Sequence, residues 1–288
     1  MIQIPARLAE LPIVEVYHQS PGCWMLRKQS EVSLLERQSY LSLHAFTMVV
    51  SGEQKIETDE GQLNIKAGKM AFLRKGIYTI NDLISQGGSF ESYLLFFDDD
   101  FLKTFFRTFS YGSKVAKDQK VSSVYKLTTP AYLTHFWQSI PYLPKSDHPN
   151  GTHDLFLLKA QEYMTVLLTQ APALIALLQS IHQSKLHNLQ LFMERHYDKP
   201  LTIEDYAALS GRSPSTFRRT FKLKFGTSPR QWIIQKRMKK ALKLLQQTDL
   251  DVTQIALEVG YENTSHFISA FKKIHGQTPK AMGKVGLG

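Results

Sequence analysis

Cysteine is almost absent: Cys23 is the single one in 288 residues. An intrachain disulfide and a cysteine-based metal cluster are therefore excluded. Long hydrophobic runs are missing as well. The most apolar stretch, 155–178, is interrupted by Lys159, Glu162, Gln170 and Pro172, whereas a membrane span needs about 20 apolar residues in a row. The opening MIQIPARLAELPI has no apolar run long enough for a signal peptide. No His-x-His pair occurs and no catalytic constellation is visible. The expectation is a cytoplasmic non-enzyme with no metal, no cofactor and no membrane partner. Acidic residues are scarce in one region only. From residue 186 onward 17 Lys+Arg stand against 8 Asp+Glu, while residues 1–185 hold 18 and 17. Nearly all of the net +10 lies in the last third, which favours a polyanion partner for that part.

What is present falls into two styles of pattern, and the length is enough for two domains. From about residue 44 to 97 short apolar segments alternate with turns. AFTMVV, EQKIET, QLNI, MAFLR, IYTI and SFESYLLFF are separated by Ser51-Gly52, Asp59-Glu60-Gly61, Lys66-Ala67-Gly68, Lys75-Gly76 and Gln86-Gly87-Gly88. Strands at this spacing predict a closed or sandwiched antiparallel β-domain, and the glycine turns resemble those of cupin-like barrels. A metal-holding cupin needs imidazoles converging at about 2 Å on the ion. Here Tyr78 follows the Lys75-Gly76 turn and His44 stands apart, so His44 reads as a core or strand-edge residue. Asp98-Asp99-Asp100 before FLKTFFRTF predicts an acid-capped helix start. Residues 141–153 are a Pro/Gly/Asn-rich connection. The segments 154–170 and 172–183 predict two helices broken at Pro172, the first apolar around much of its circumference. Such a helix packs on two sides, either onto the barrel or into a dimer.

The last third contains a repeat. Phe217, Phe221-Lys222, Gly226 and Ser228-Pro229 recur as Phe267, Phe271-Lys272, Gly276 and Thr278-Pro279. Ala207 and Gly211 recur as Ala256 and Gly260, so the second copy has a turn one residue longer. Thr202 with Asp205 and Asp251 with Gln254 are capping pairs. Gly211 turns the chain where a positive φ is cheap only for glycine, and Ser213-Pro214 starts a helix. In that helix Phe217, Phe221 and Phe225 face inward, leaving Ser215, Arg218, Arg219 and Lys222 on the opposite face. This is a pair of helix-turn-helix units. A basic face on the second helix of such a unit suits the major groove, where Arg forks onto guanine O6 and N7. Between the units a helix runs from Ser228-Pro229 to about Gln247, with Trp232, Ile234, Met238, Ala241 and Leu245 as its predicted apolar stripe. Its Arg237 and Lys240 are assigned to phosphates.

The second reading face is Ser265, Ile268, Ser269 and Lys272. It lacks both arginines and reads through hydroxyls and an apolar contact with thymine methyl groups. Phe267, Phe271 and Ile274 are its predicted buried positions. The two units are thus expected to contribute unequally.

Ala207, Gly211, Arg219, Phe221-Lys222, Gly226, Ser228-Pro229, Ala241, Ile255-Ala256, Gly260-Tyr261, Phe271-Lys272 and Thr278-Pro279 together resemble the C-terminal domain of the AraC/XylS family of bacterial transcription regulators. The resemblance covers 186–288. It implies an α+β multidomain chain: a cupin-like regulatory β-barrel with helices over 1–140, a helical linker or dimerisation region over 141–185, and an all-α DNA-binding domain of seven helices with two helix-turn-helix units. It also implies binding to double-stranded promoter DNA in the bacterial nucleoid, contact with RNA polymerase, activation more often than repression, and homodimerisation. The DNA-facing set then includes Thr202, Ser213, Thr216, Thr264 and Lys273 beside the residues already named. Three departures stand out: Ser269 where the family often has Arg, Met282-Gly283 near the end, and Phe217 for Leu. The N-terminal half further resembles the subgroup controlling type III secretion genes, whose N-terminal domains bind a protein, so the effector is either a small molecule or a protein.

Overall fold

The computed structural model describes residues 1–58, 60–84, 88–109, 111, 123–143, 151–183 and 189–282, the side chains of 151–154, 182 and 183 excepted. The turn residues Asp59, Gln86 and Gly87, the helical position Leu186 and the tail beyond Met282 lie outside them. The chain divides into two compact units, Met1–Ser184 and Lys185–Gly288.

The first unit is built on β1 (Ile2–Ile4), β2 (Val14–Ser20), β3 (Cys23–Ser30), β4 (Leu34–Leu41), β5 (His44–Ser51), β6 (Glu53–Thr58), β7 (Gly61–Lys66), β8 (Lys69–Leu73), β9 (Gly76–Leu83), β10 (Phe90–Phe97) and β11 (Val124–Leu127). They form two sheets, in the orders β1-β4-β9-β6-β7 and β11-β8-β5-β10-β3-β2. All pairings are antiparallel except β1 with β4, where Ile2 lies opposite Ser39. This is the double-sheet arrangement of a cupin-like barrel. The strands before residue 44 escaped the sequence reading because their polar and apolar residues alternate irregularly, with register shifts in β2 and β4.

The near-continuous apolar runs FTMVV and YLLFF belong to central strands covered on both faces. Inward, Ala45, Val49, Leu73, Leu94 and Phe96 meet Ile56, Ile65 and Ile80 of the facing sheet. Outward, Phe46, Met48, Phe72, Leu95 and Phe97 are covered by helices. Those helices are α2 (Asp99–Thr108), α3 (Ala131–Ser139), α4 (Gly151–Gln170) and α5 (Pro172–Gln183), while α1 (Ala6–Ala9) follows β1. Tyr163, Met164, Leu167 and Leu168 of α4 are buried in that outer core with Trp137 of α3 and Leu178 of α5. Much of the apolar circumference of α4 is thus used on the sheet and its neighbouring helices, with Leu158 left exposed.

Asp98 caps α2, its carboxylate accepting from the Phe101 N–H at 2.7 Å. Its neighbour Asp99 reaches His44, which is fully buried. His44 Nδ1 accepts from the Lys75 N–H at 3.2 Å, so Nε2 carries the proton and donates to Asp99 Oδ1 at 3.0 Å. His44 is a core residue with two partners, tying β5 to α2 and to the turn before β9. Burial first, then the nearby Lys75 and Arg74 charges, hold its pKa below the ordinary imidazole value despite Asp99.

The second unit contains α6 (Leu189–His196), α7 (Ile203–Leu209), α8 (Pro214–Phe225), α9 (Pro229–Gln247), α10 (Val252–Glu258), α11 (Thr264–His275) and α12 (Pro279–Met282).

Candidate nucleic-acid interface

The first helix-turn-helix is α7, a turn at Gly211, and α8. Thr202 caps α7 reciprocally: its Oγ1 accepts from the Asp205 N–H at 3.1 Å and Asp205 Oδ2 accepts from the Thr202 N–H at 2.9 Å. Gly211 has φ +68°. Ser213 accepts from the Thr216 N–H at 3.3 Å and Pro214 takes the first helical position. Buried Phe217 and Phe221 fix the inner face of α8, and Phe225 stacks on Phe221 with ring centroids 4.2 Å apart. Ser215, Arg218, Arg219 and Lys222 are consequently exposed, with Ser213 at the same end, while Thr216 is half-buried. Arg218 donates from Nη2 to Glu204 Oε1 of α7 at 2.5 Å. The pair was not anticipated from the sequence. Adding the repeat offsets to both positions gives Thr253 and Ile268, so the second copy replaced acid and base together.

In the connecting helix α9, both residues assigned to phosphates have partners inside the unit. Arg237 donates from Nε to the Tyr197 carbonyl at 2.7 Å, from Nη1 to that of Gly260 at 2.9 Å and from Nη2 to that of Lys199 at 2.5 Å. Its guanidinium also lies over the Tyr261 ring, 5.5 Å from the centroid. All three of its nitrogens are engaged within the unit, so Arg237 is a clamp between the segment before the first helix-turn-helix and the turn of the second. Lys240 likewise bonds Asp198 at 2.6 Å and the Glu258 carbonyl at 3.0 Å. Its charge is matched inside the unit rather than left for phosphate. Trp232, Met238 and Ala241 are buried, Ile234 and Leu245 pack half-buried against the core, and Ile233 joins the buried stripe.

The second helix-turn-helix is α10, a turn at Gly260, and α11. Asp251 and Gln254 form the reciprocal cap. Gly260 has φ +85°, and a Cβ there would sit 2.4 Å from the Asp198 carbonyl oxygen. Only glycine meets both demands. Asn263, which the sequence reading passed over, caps α11 by accepting from the His266 N–H at 3.0 Å. Phe267 and Phe271 are buried, but Ile274 is 43 % exposed. The inward position belongs to His275, the repeat partner of Phe225, whose ring packs on Phe271 at 4.4 Å between centroids. The four-residue spacing of the phenylalanines pointed there. Ser265, Ser269, Lys272 and Lys273 are exposed, and Thr264 is half-buried. Ile268 is half-buried against the unit's own core.

A family described as the helix-turn-helix domain matches residues 206–284, and one described as the ExsA N-terminal regulatory domain matches residues 44–177. The two matches give this chain an AraC-type helix-turn-helix domain and an ExsA-type regulatory domain. Among its relatives, the HTH-type transcriptional regulator ExsA of Pseudomonas aeruginosa is 26% identical over 236 residues, 81% of this chain and 83% of the relative. The virulence regulon transcriptional activator VirF of Yersinia enterocolitica is 25% identical over 240 residues, 81% and 86% of the two chains. Among solved structures, apo ToxT from Vibrio cholerae aligns over 93% of this chain and 99% of its own with 9% identity and a TM-score of 0.45.

The domain over residues 206–284 is the DNA-binding one. Within it, the exposed cations of α8 and α11 stand on helices whose inner faces are pinned by paired phenylalanines. Arg219 has neither an ion pair nor a hydrogen bond among the described residues. No helix among the described residues is long and apolar enough to cross a membrane.

Proposed function

We infer that the protein is a sequence-specific transcriptional activator acting in the cytoplasm on promoter DNA, and that its N-terminal unit controls it. The observation that carries this reading is the exposed face of α8, Ser215, Arg218, Arg219 and Lys222, held on a helix capped at Ser213 and pinned by Phe217 and Phe221. Thr202, Ser213, Thr216, Thr264, Lys272 and Lys273 serve the backbone contacts, and Ser265, Ile268 and Ser269 make the weaker base contacts. The printed description of VirF as an activator and the match to a regulatory domain support the same reading. Recruitment of RNA polymerase and self-association belong to it.

For control, a protein partner is favoured over a sugar-sized ligand. Among the described residues, a cavity of about 30 Å³ lies between the two sheets, small against roughly 300 Å³ or more for ordinary ligand pockets. Selection of binding sites from a random DNA pool tests the activator's reader. Arg219→Ala is expected to relax preference at one half-site by about 5- to 150-fold, since a bidentate guanine contact is worth about 1–3 kcal/mol. Ser269→Ala is expected to leave the selected sequence nearly unchanged. A selected sequence altered more by Ser269→Ala than by Arg219→Ala would sink the reading.

A further inference from the structure

The second helix of the first helix-turn-helix carries a residue that the packing of its own unit does not explain. Leu223 of α8 is 83% exposed, the most exposed leucine among the described residues. Single exposed leucines are ordinary on protein surfaces. This one stands in a particular row. Residues four apart share a helix face, so Ser215, Arg219 and Leu223 form one ridge along α8, and all three are exposed. Arg218, the neighbour of Arg219, reaches sideways to Glu204 of α7, which leaves the ridge of Arg219 and Leu223 on the side away from α7. Lys222 and Lys224, also exposed, lie about 100° round the helix on either side of Leu223. An apolar tip is thus flanked by two cations and preceded by a third one turn earlier.

The repeat supplies an internal comparison. Lys222-Leu223-Lys224 corresponds to Lys272-Lys273-Ile274, so Leu223 has a lysine as its counterpart. A lysine at this place is what a phosphate contact needs. The apolar residue of the second copy comes one position later, and Ile274 is only 43% exposed. Along α11 the same ridge reads Ser265, Ser269 and Lys273, with its cation one turn further on than in α8. A leucine amid cations serves neither solubility nor phosphate binding. Its removal from water is favourable where the partner presents a hydrocarbon group. In the major groove that group is the C5 methyl of thymine. The rise from Arg219 to Leu223 is about 6 Å, close to two base-pair steps of about 3.4 Å.

We propose that Leu223 is a specificity-determining residue: its side chain packs on the C5 methyl of a thymine about two base pairs from the guanine that Arg219 reads. This rests on the DNA-reading role of α8 and adds a second base to it. The contact belongs to the half-site of the first unit, because Lys273 occupies the equivalent place on α11.

The test uses the full chain and the duplex that it selects from a random DNA pool. Each thymine of that duplex is replaced in turn by deoxyuridine, which lacks the methyl group and keeps the pairing. One replacement, about two base pairs from the guanine whose preference Arg219→Ala relaxes, is expected to weaken binding by the unaltered protein about fourfold, the worth of one buried methyl group. Leu223→Ala is expected to bind the thymine and uracil duplexes equally, and Leu223→Met to retain the difference. Because Leu223 is exposed, both variants should keep the unfolding midpoint. Three outcomes would each overturn the proposal while leaving the DNA reading of α8 in place: no uracil replacement that weakens the unaltered protein, an effect that persists in full in Leu223→Ala, or a Leu223-dependent thymine in the other half-site. Failure to select any sequence from the pool would overturn the DNA reading and this contact together.

Discussion

At the scale of the residue, Arg218 and Arg219 are neighbours with different freedom. Arg219 has no partner among the described residues, while Arg218 is held by Glu204 from the preceding helix. Both partners of that pair are more than half exposed, so it adds little to stability and its effect is on orientation. Glu204→Gln is predicted to broaden base preference at the position Arg218 reads and to strengthen non-specific binding, because one negative charge leaves the DNA-facing side. Parallel binding selections and affinity measurements on scrambled DNA check this; an unchanged profile in both would remove Glu204 from the reader. His44 is the residue-scale prediction for the other unit. Its folded pKa is depressed below the unfolded value of about 6.5. The unfolded chain therefore binds a proton that the folded one refuses, and stability is full above about pH 6.5 and falls as pH drops below it. Asp99 opens a separate, more acidic window. Burial pushes its pKa up, but His44 and Lys75 outweigh that and hold it well below the usual carboxylate range, so its contribution is lost only below about pH 4. Denaturant unfolding from pH 7 to 5 is expected to show falling stability that is flattened in His44→Gln.

At the scale of the element, α9 does more than span a distance. Arg237 collects carbonyls from Tyr197, Lys199 and Gly260, so one side chain joins the approach to α7 with the turn between α10 and α11. Arg237→Ala leaves those carbonyls without their charged donor, and the second unit is predicted to lose about 2–4 kcal/mol, since hydrogen bonds to charged groups contribute about 1.5–3 kcal/mol each and do not add fully. DNA affinity should fall for both half-sites together, with the selected sequence kept; a change of sequence preference would contradict the clamp role of Arg237. The caps of α7, α8 and α10 were legible beforehand because a cap is a local pairing of residues three apart. Ile274 was misplaced because it was assigned by apolarity, whereas the repeat with Phe225 points to His275. The strands before residue 44 were not legible: their bulges break the two-residue alternation on which a strand is recognised.

At the scale of the whole molecule, the excess positive charge lies in the DNA-binding part, and affinity for DNA should fall linearly in log–log form as salt rises, by about 0.9 per phosphate neutralised. The structure redistributes that expectation among the lysines of α9. Lys240 is committed to Asp198 and the Glu258 carbonyl, whereas Lys243 is exposed. Lys243→Ala is predicted to reduce the salt slope by about one and Lys240→Ala to leave it nearly unchanged while lowering the unfolding midpoint; titrations over a range of salt concentrations separate the two, and equal slopes for both variants would contradict the assignment.

The sequence by itself determined the duplicated helix-turn-helix framework, its charge and the inequality of its two faces, because those rest on local spacing: capped starts, left-handed glycines and phenylalanines four apart. Tertiary structure alone decided which cations are free. Arg219 and Arg237 are the same residue type on neighbouring helices, one left to solvent and the other spent on three carbonyls. It also decided that Lys28 and Arg37, nine residues apart on separate strands, meet at the single carboxylate of Asp82. Charge availability depends on what the fold brings within hydrogen-bonding reach, and those partners, at 197, 199 and 260 or at 82, are remote in the chain.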